Sequence, residues 1–146
     1  MRTAFSLTIA ASLAAERVGS LVLFDTNTTL ASQLEARLKL HYPELDVRNG
    51  PPDVAGKDLV VNATPLGMRD ADPLPFDVEH LAPPTVVGEV VLKKEITPLL
   101  AEAKARGCRI QVGTDMLFEM IPAYLEFFGF GTTTPEELRA IAKIVY

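Results

Sequence analysis

The stretch "GSLVLFDTN", residues 19–27, is an apolar run that stops at an acid. An acid at the end of a buried strand is the group that reads a ribose. Its carboxylate accepts the hydrogens of the adenosine hydroxyls, and a glycine-rich turn about 20 residues upstream holds the pyrophosphate on backbone amides. Asp25 fills the first role, with Thr26 and Asn27 beside it. For the second role only 24 residues precede Asp25, and their one glycine is Gly19. A further run, "NATPLGM" at residues 62–68, places Asn62, Ala63 and Thr64 at the end of another apolar stretch, followed by Pro65 and Gly67, which shape a tight turn. A polar exit from a strand accounts for that run equally well on the residues alone.

The other residue types with chemical potential are sparse. Cys108 is the single cysteine, in "RGCRIQVG", and reads as a buried strand thiol rather than a nucleophile. It excludes a disulfide framework within the chain and a cysteine-based zinc site, and suits a reducing cytoplasm. His41 and His80 have neither the spacing nor the neighbouring acids of a metal site and read as surface residues, so no metal is expected. Lys93 and Lys94 read as a solvated pair in a loop, and no catalytic base is assigned.

These groups must be positioned by a chain of 146 residues with a formal net charge of −5, a length that fits one domain spanning 1–146. The acidic balance argues against a nucleic-acid or anionic-membrane partner, since either demands a basic face, and leaves small molecules and proteins. No stretch is long enough to span a bilayer. The opening "MRTAFSLTIAASLAAERV" has the outline of a signal peptide. It also has Phe5, Ile9 and Leu13 at helical spacing, the pattern of an Ala-rich helix over 4–17.

Further on, helical and strand patterns alternate. Leu21–Phe24 predicts a strand, and "TTLASQLEARLKLHY" a helix with Leu30, Leu34 and Leu38 on one face and Thr28 or Thr29 as cap. "LDVRN" is a weak strand, while "KDLVVNAT", "PTVVGEVVL" and "CRIQVG" are stronger ones. "TPLLAEAKARG" predicts a helix with Pro98 in its first turn and Gly107 at its end. "DMLFEMIPAYLEFF" and, after a glycine break, "TTPEELRAIAKIVY" predict two more helices, the second starting at Thr134, Pro135 and Glu137. Near-continuous apolar strands alternating with helices imply an α/β fold with a parallel sheet flanked by helices.

Three runs, "DLVVNATPLGM", "VVGEVVLKKEITPLLAEAKARGC" and "VGTDML", in that order and spacing, resemble the C-terminal nucleotide-binding domain of the shikimate dehydrogenase family, including its quinate/shikimate and shikimate-dehydrogenase-like branches. The resemblance covers residues 8 to about 130 and leaves 131–146 as a C-terminal helix. It implies a Rossmann-like fold and an NAD(P)-dependent oxidoreductase of an alicyclic hydroxy acid. It turns the first helix into the one after the glycine loop, which weakens the signal-peptide reading. It also implies a cofactor site at Asp25, Thr26 and Asn27 for the ribose, Asn62, Ala63 and Thr64 near the nicotinamide ribose, Gly113 facing the nicotinamide amide, and Met116 and Leu117 beside the ring. Many members take the NADP 2′-phosphate with an Asn-Arg-Thr run, whereas here an acid stands first and no Arg or Lys follows before Arg37, so the resemblance points to NAD over NADP.

The departures from the family pattern set further expectations. Its glycine-rich run falls on Met1, Arg2, Thr3 and Ala4, none of them glycine, and the strand before that loop, central in this topology, is not represented. NAD binding is therefore expected to be weak. The family's substrate-contacting Tyr falls on Leu92, and its Gln falls on Met120, a doubtful substrate contact. No segment matches the N-terminal substrate domain with its Lys and Asp. The chain is thus expected to be inactive by itself. An alternative reading is a non-catalytic nucleotide-binding or interaction module. In either case a homodimer is expected to cover the edges of the strands at Leu21–Phe24 and Leu59–Asn62 and part of "MLFEMIPAYLEFFGF".

Overall fold

The computed structural model describes residues 3–69 and 71–144. The chain divides into two compact units, Met1–Val54 and Ala55–Tyr146.

The first unit contains α1 (Thr3–Ala15), β1 (Ser20–Leu23), α2 (Thr28–His41) and β2 (Asp46–Asn49). β1 and β2 pair in parallel, with Leu21 opposite Val47 and Leu23 opposite Asn49. Small residues make the helix packing close: Ala10 and Ala14, one turn apart on α1, are buried with Leu34 and Leu38 of α2 and with Leu45 and Val47. Burial of each such leucine stabilises the fold by about 1.5–3 kcal/mol. The expected apolar face of α2 is thus present, but its cap differs. Asn27 rather than Thr28 or Thr29 caps the helix, its Oδ1 accepting from the Leu30 N–H at 3.2 Å. An Asn at this extended position reaches the third helical amide, and Thr28 already lies inside the first turn.

The second unit contains β3 (Leu59–Asn62), β4 (Val86–Glu89), α3 (Pro98–Ala105), β5 (Arg109–Gln111), α4 (Gly113–Phe127) and α5 (Pro135–Ile141). Its three strands run parallel in the order β3-β4-β5, Val87 standing between Val60 and Ile110. Val87, Leu99, Leu100 and Ala103 are almost completely buried, so β4 and the inner face of α3 form the core that carries this sheet. Thr97 caps α3 through Leu100 N–H, and Gly107 ends it with φ +80, a conformation glycine adopts without strain. Thr134 and Glu137 form the expected capping box of α5, which ends at Ile141, short of the predicted span.

The protein is therefore an α/β chain whose parallel sheets are flanked by helices. Among the described residues no strand pairs with the second edge of β1 or of β3. Cys108 is buried immediately before β5, and His41 and His80 are exposed, as their sequence contexts imply. No described helix is long and apolar enough to cross a membrane.

Candidate functional site

At the carboxyl end of β1 the chain turns sharply. Asp25 Oδ1 accepts the Asn27 N–H at 2.8 Å, which fixes the carboxylate against the start of α2. Its other oxygen has no partner among the described residues, and the side chain is only half-buried. Asp25 lines an open cleft of about 370 Å³ with Leu23, Phe24, Ser32, Asn49 and Pro51. Apolar walls with a carboxylate and an amide at the rim suit a flat heterocycle carrying hydroxyls. Thr26 and Asn27 are exposed, and Asn27 spends its side-chain oxygen on the helix cap. Of the positions expected to carry the glycine-rich run, Thr3 and Ala4 open α1, and Met1 and Arg2 lie outside the described residues.

The carboxyl end of β3 is built differently. Asn62 is 2 % exposed. Its Oδ1 accepts from the Thr64 N–H at 3.0 Å and the Thr64 hydroxyl at 2.7 Å. Its Nδ2 donates to the Leu66 carbonyl at 3.1 Å and to Glu89 Oε2 at 3.3 Å. The Thr64 hydroxyl in turn accepts from Leu66 N–H at 3.1 Å. Gly67 closes the turn with φ +95, packed near Thr97 and Val91. Ala63 and Thr64 are half-buried at its edge.

Glu89, opposite Asn62 in the register, is 5 % exposed. Burial pushes its carboxyl above the ordinary range, while the side chains of Thr97 and Asn62 oppose that rise. No motif assigned Glu89 or Thr97 a role. The one trace in the sequence is an acid interrupting the apolar run "VVGEVV"; its pairing with Asn62 comes only from the strand register.

Gly113 begins α4 at the carboxyl end of β5 and is buried. A Cβ there would stand 2.1 Å from the Val91 carbonyl oxygen, so the backbone of the segment after β4 passes where a side chain would be. Met116 and Met120 are half-buried on α4, and Leu117 and Leu92 are exposed. Asn62, Glu89 and Gly113 thus share one end of the three-stranded sheet, while Asp25, Thr26 and Asn27 belong to the first unit.

Comparison with known proteins places this arrangement. No protein-family model matches the chain. A shikimate dehydrogenase (NADP(+)) of Paracoccus denitrificans is 33 % identical over 132 residues, which is 90 % of this chain and 47 % of that protein. One from Jannaschia sp. is 40 % identical over 90 residues, 60 % of this chain and 32 % of its own length. The quinate dehydrogenase of Corynebacterium glutamicum, solved in complex with NAD, superposes with a TM-score of 0.78 at 31 % identity, covering 92 % of this chain and 49 % of that one. The chain is homologous to the C-terminal domain region of the shikimate dehydrogenases. It spans from about a third to about half the length of these relatives. The α/β architecture with parallel strands is that of the shikimate and quinate dehydrogenases it matches.

Proposed function

We propose that this chain is the nucleotide-binding domain of a shikimate/quinate dehydrogenase-like oxidoreductase, one that serves NAD(P)-dependent oxidation of an alicyclic hydroxy acid. The observation that carries this reading is Asp25, held by the Asn27 amide just past the carboxyl end of a parallel strand and lining the cleft beside it. A bound nicotinamide supplies hydride acceptance. The residues of this chain bind and orient: in the first unit Asp25 offers its carboxylate to a ribose hydroxyl. The carboxylate at Asp25 supports NAD over NADP, because a 2′-phosphate there meets like charge and no guanidinium follows before Arg37.

Calorimetric titration with NAD and NADP, using Asp25→Ala as control, tests the reading. Weak NAD binding, no tighter than about millimolar, with weaker NADP and a reduced NAD response in the variant, supports it. NADP binding tighter than NAD overturns the role of Asp25. No acid–base pair is identified in these 146 residues, so the same chain assayed with shikimate or quinate and either nucleotide is expected to show no turnover.

A second reading, a homodimeric interaction module in a cytoplasmic setting, draws on the exposed Tyr124, Phe127, Phe128 and Phe130 at the end of α4 and after it. Sedimentation at micromolar concentration tests it, a single monomeric species counting against.

A further inference from the structure

The Asn62 amide uses both donors and both acceptor positions that an amide has, on Leu66, Glu89 and Thr64. A flipped amide would set its NH₂ against the Thr64 N–H and its oxygen against the Leu66 carbonyl, so one orientation is allowed. Three of these bonds stay within the turn, spanning two to four residues. The fourth reaches Glu89, 27 residues away on the neighbouring strand. That bond alone ties the amide to the rest of the sheet through side chains. With Asn62 buried and its hydrogen-bonding capacity spent, a ligand meets the backbone and outer side chains of the turn instead.

We propose that Glu89 is a positioning residue: by holding the Asn62 amide it sets the backbone of the 62–67 turn, the surface that the nicotinamide half of a dinucleotide would meet. The naming of that ligand rests on the proposed function, but the ordering of the turn does not. Burial raises the carboxyl's pKa, and in its protonated form the group still offers one carbonyl-type oxygen to Asn62. Glutamine offers the same oxygen in the same place. Glu89→Gln should therefore preserve the turn, and Glu89→Met should release it.

Amide hydrogen exchange followed by NMR on the 146-residue chain separates a local role from a general one. In Glu89→Met the amides of Thr64 and Leu66 should exchange at least about tenfold faster, beyond any change at Val87 and Leu100, while Glu89→Gln stays within about threefold of the parent. Titration with nicotinamide mononucleotide should lose its response in the Met variant, and the response to AMP should persist. Equal acceleration at all sites, or a Gln variant as loose as the Met variant, overturns the proposal. If Glu89→Met does not fold, the parent still decides: its Asn62 side-chain and Thr64 amide signals should shift with pH in step with the Glu89 carboxyl carbon, and independent titration overturns the assignment. Absence of any response to the mononucleotide in the parent would sink the nucleotide reading of the turn, with the exchange data still judging Glu89.

Discussion

Asp25 and Asn62 stand at equivalent places, each at or just past the carboxyl end of a parallel strand, yet they are wired in opposite ways. Asp25 lines a cleft and makes one local bond, to the Asn27 amide, with its other oxygen unbonded among the described residues. Asn62 is buried and bonded at every polar position. Position at a strand end therefore does not decide whether a polar residue serves a ligand or serves the backbone. Burial and remaining hydrogen-bonding capacity decide it. The first end should fail in binding when altered, the second in stability.

The largest effect is expected where the second unit has no room at all. In Gly113→Ala the new methyl would stand 2.1 Å from the Val91 carbonyl oxygen, with backbone rather than a flexible side chain as the obstacle. Either α4 or the segment after β4 must move, at a cost of about 3 kcal/mol or more in urea unfolding. A loss below about 1 kcal/mol would mean that the approach is loose and that glycine at this position serves something other than packing.

Asn62→Leu comes next. It strands the Thr64 N–H and the Leu66 carbonyl and removes the partner of Glu89, and the expected loss is about 2–3 kcal/mol. A loss much smaller than that would show that water satisfies the turn and that the contrast with Asp25 is overdrawn.

How far the sequence exposes this contrast depends on which interactions are local. Element types were legible because the signals sit within a few residues: Leu34 and Leu38 for the buried face of α2, Thr134 with Glu137 for the start of α5, Pro98 and Gly107 for the ends of α3. The turn after β3 was legible from Pro65 and Gly67. The capping role of Asn27 was not, because Asn27, Thr28 and Thr29 are all competent caps and only the backbone path selects among them. Glu89 was hidden for a different reason. Its meaning comes from register, which pairs it with Asn62 across 27 residues of sequence, and no local pattern encodes that pairing. The same holds for Gly113, whose necessity lies in a carbonyl contributed by the segment after β4.

The pH response offers a finer test, because the carboxylates of this chain pull in opposite directions. Glu89 is raised by burial, so its contribution to stability is fully present below the ordinary carboxylate value and is lost as pH rises through its folded pKa. Glu35, held down by its bond to Lys39, and Glu137, held down by the Thr134 amide, contribute above the ordinary value and lose that contribution as pH falls. Glu137 is exposed and Glu35 partly so, so salt screens their share. Glu89→Gln removes only the first term. The stability of the variant relative to the parent should therefore climb as pH increases from acid towards neutral, with a slope bounded at about 1.4 kcal/mol per pH unit for one proton. Parallel urea midpoints for the two proteins across that range would show that Glu89 is not titrating in a buried setting.

The smallest effect on stability, and the sharpest form of the comparison, belongs to Asp25→Ala. The substitution removes one acceptor from the Asn27 N–H, an exposed group that water can serve instead. The cap of α2 is untouched, because it runs from Asn27 Oδ1 to the Leu30 N–H and does not involve Asp25. Unfolding free energy should stay within about 0.5 kcal/mol of the parent. Nucleotide binding should behave otherwise, since the carboxylate that lines the cleft is lost outright and the like charge opposing a 2′-phosphate goes with it, so that any preference for NAD over NADP narrows or reverses. A variant that binds both nucleotides as the parent does but unfolds markedly more easily would place Asp25 with Asn62, as a residue that holds backbone, and would remove the distinction between the two strand ends.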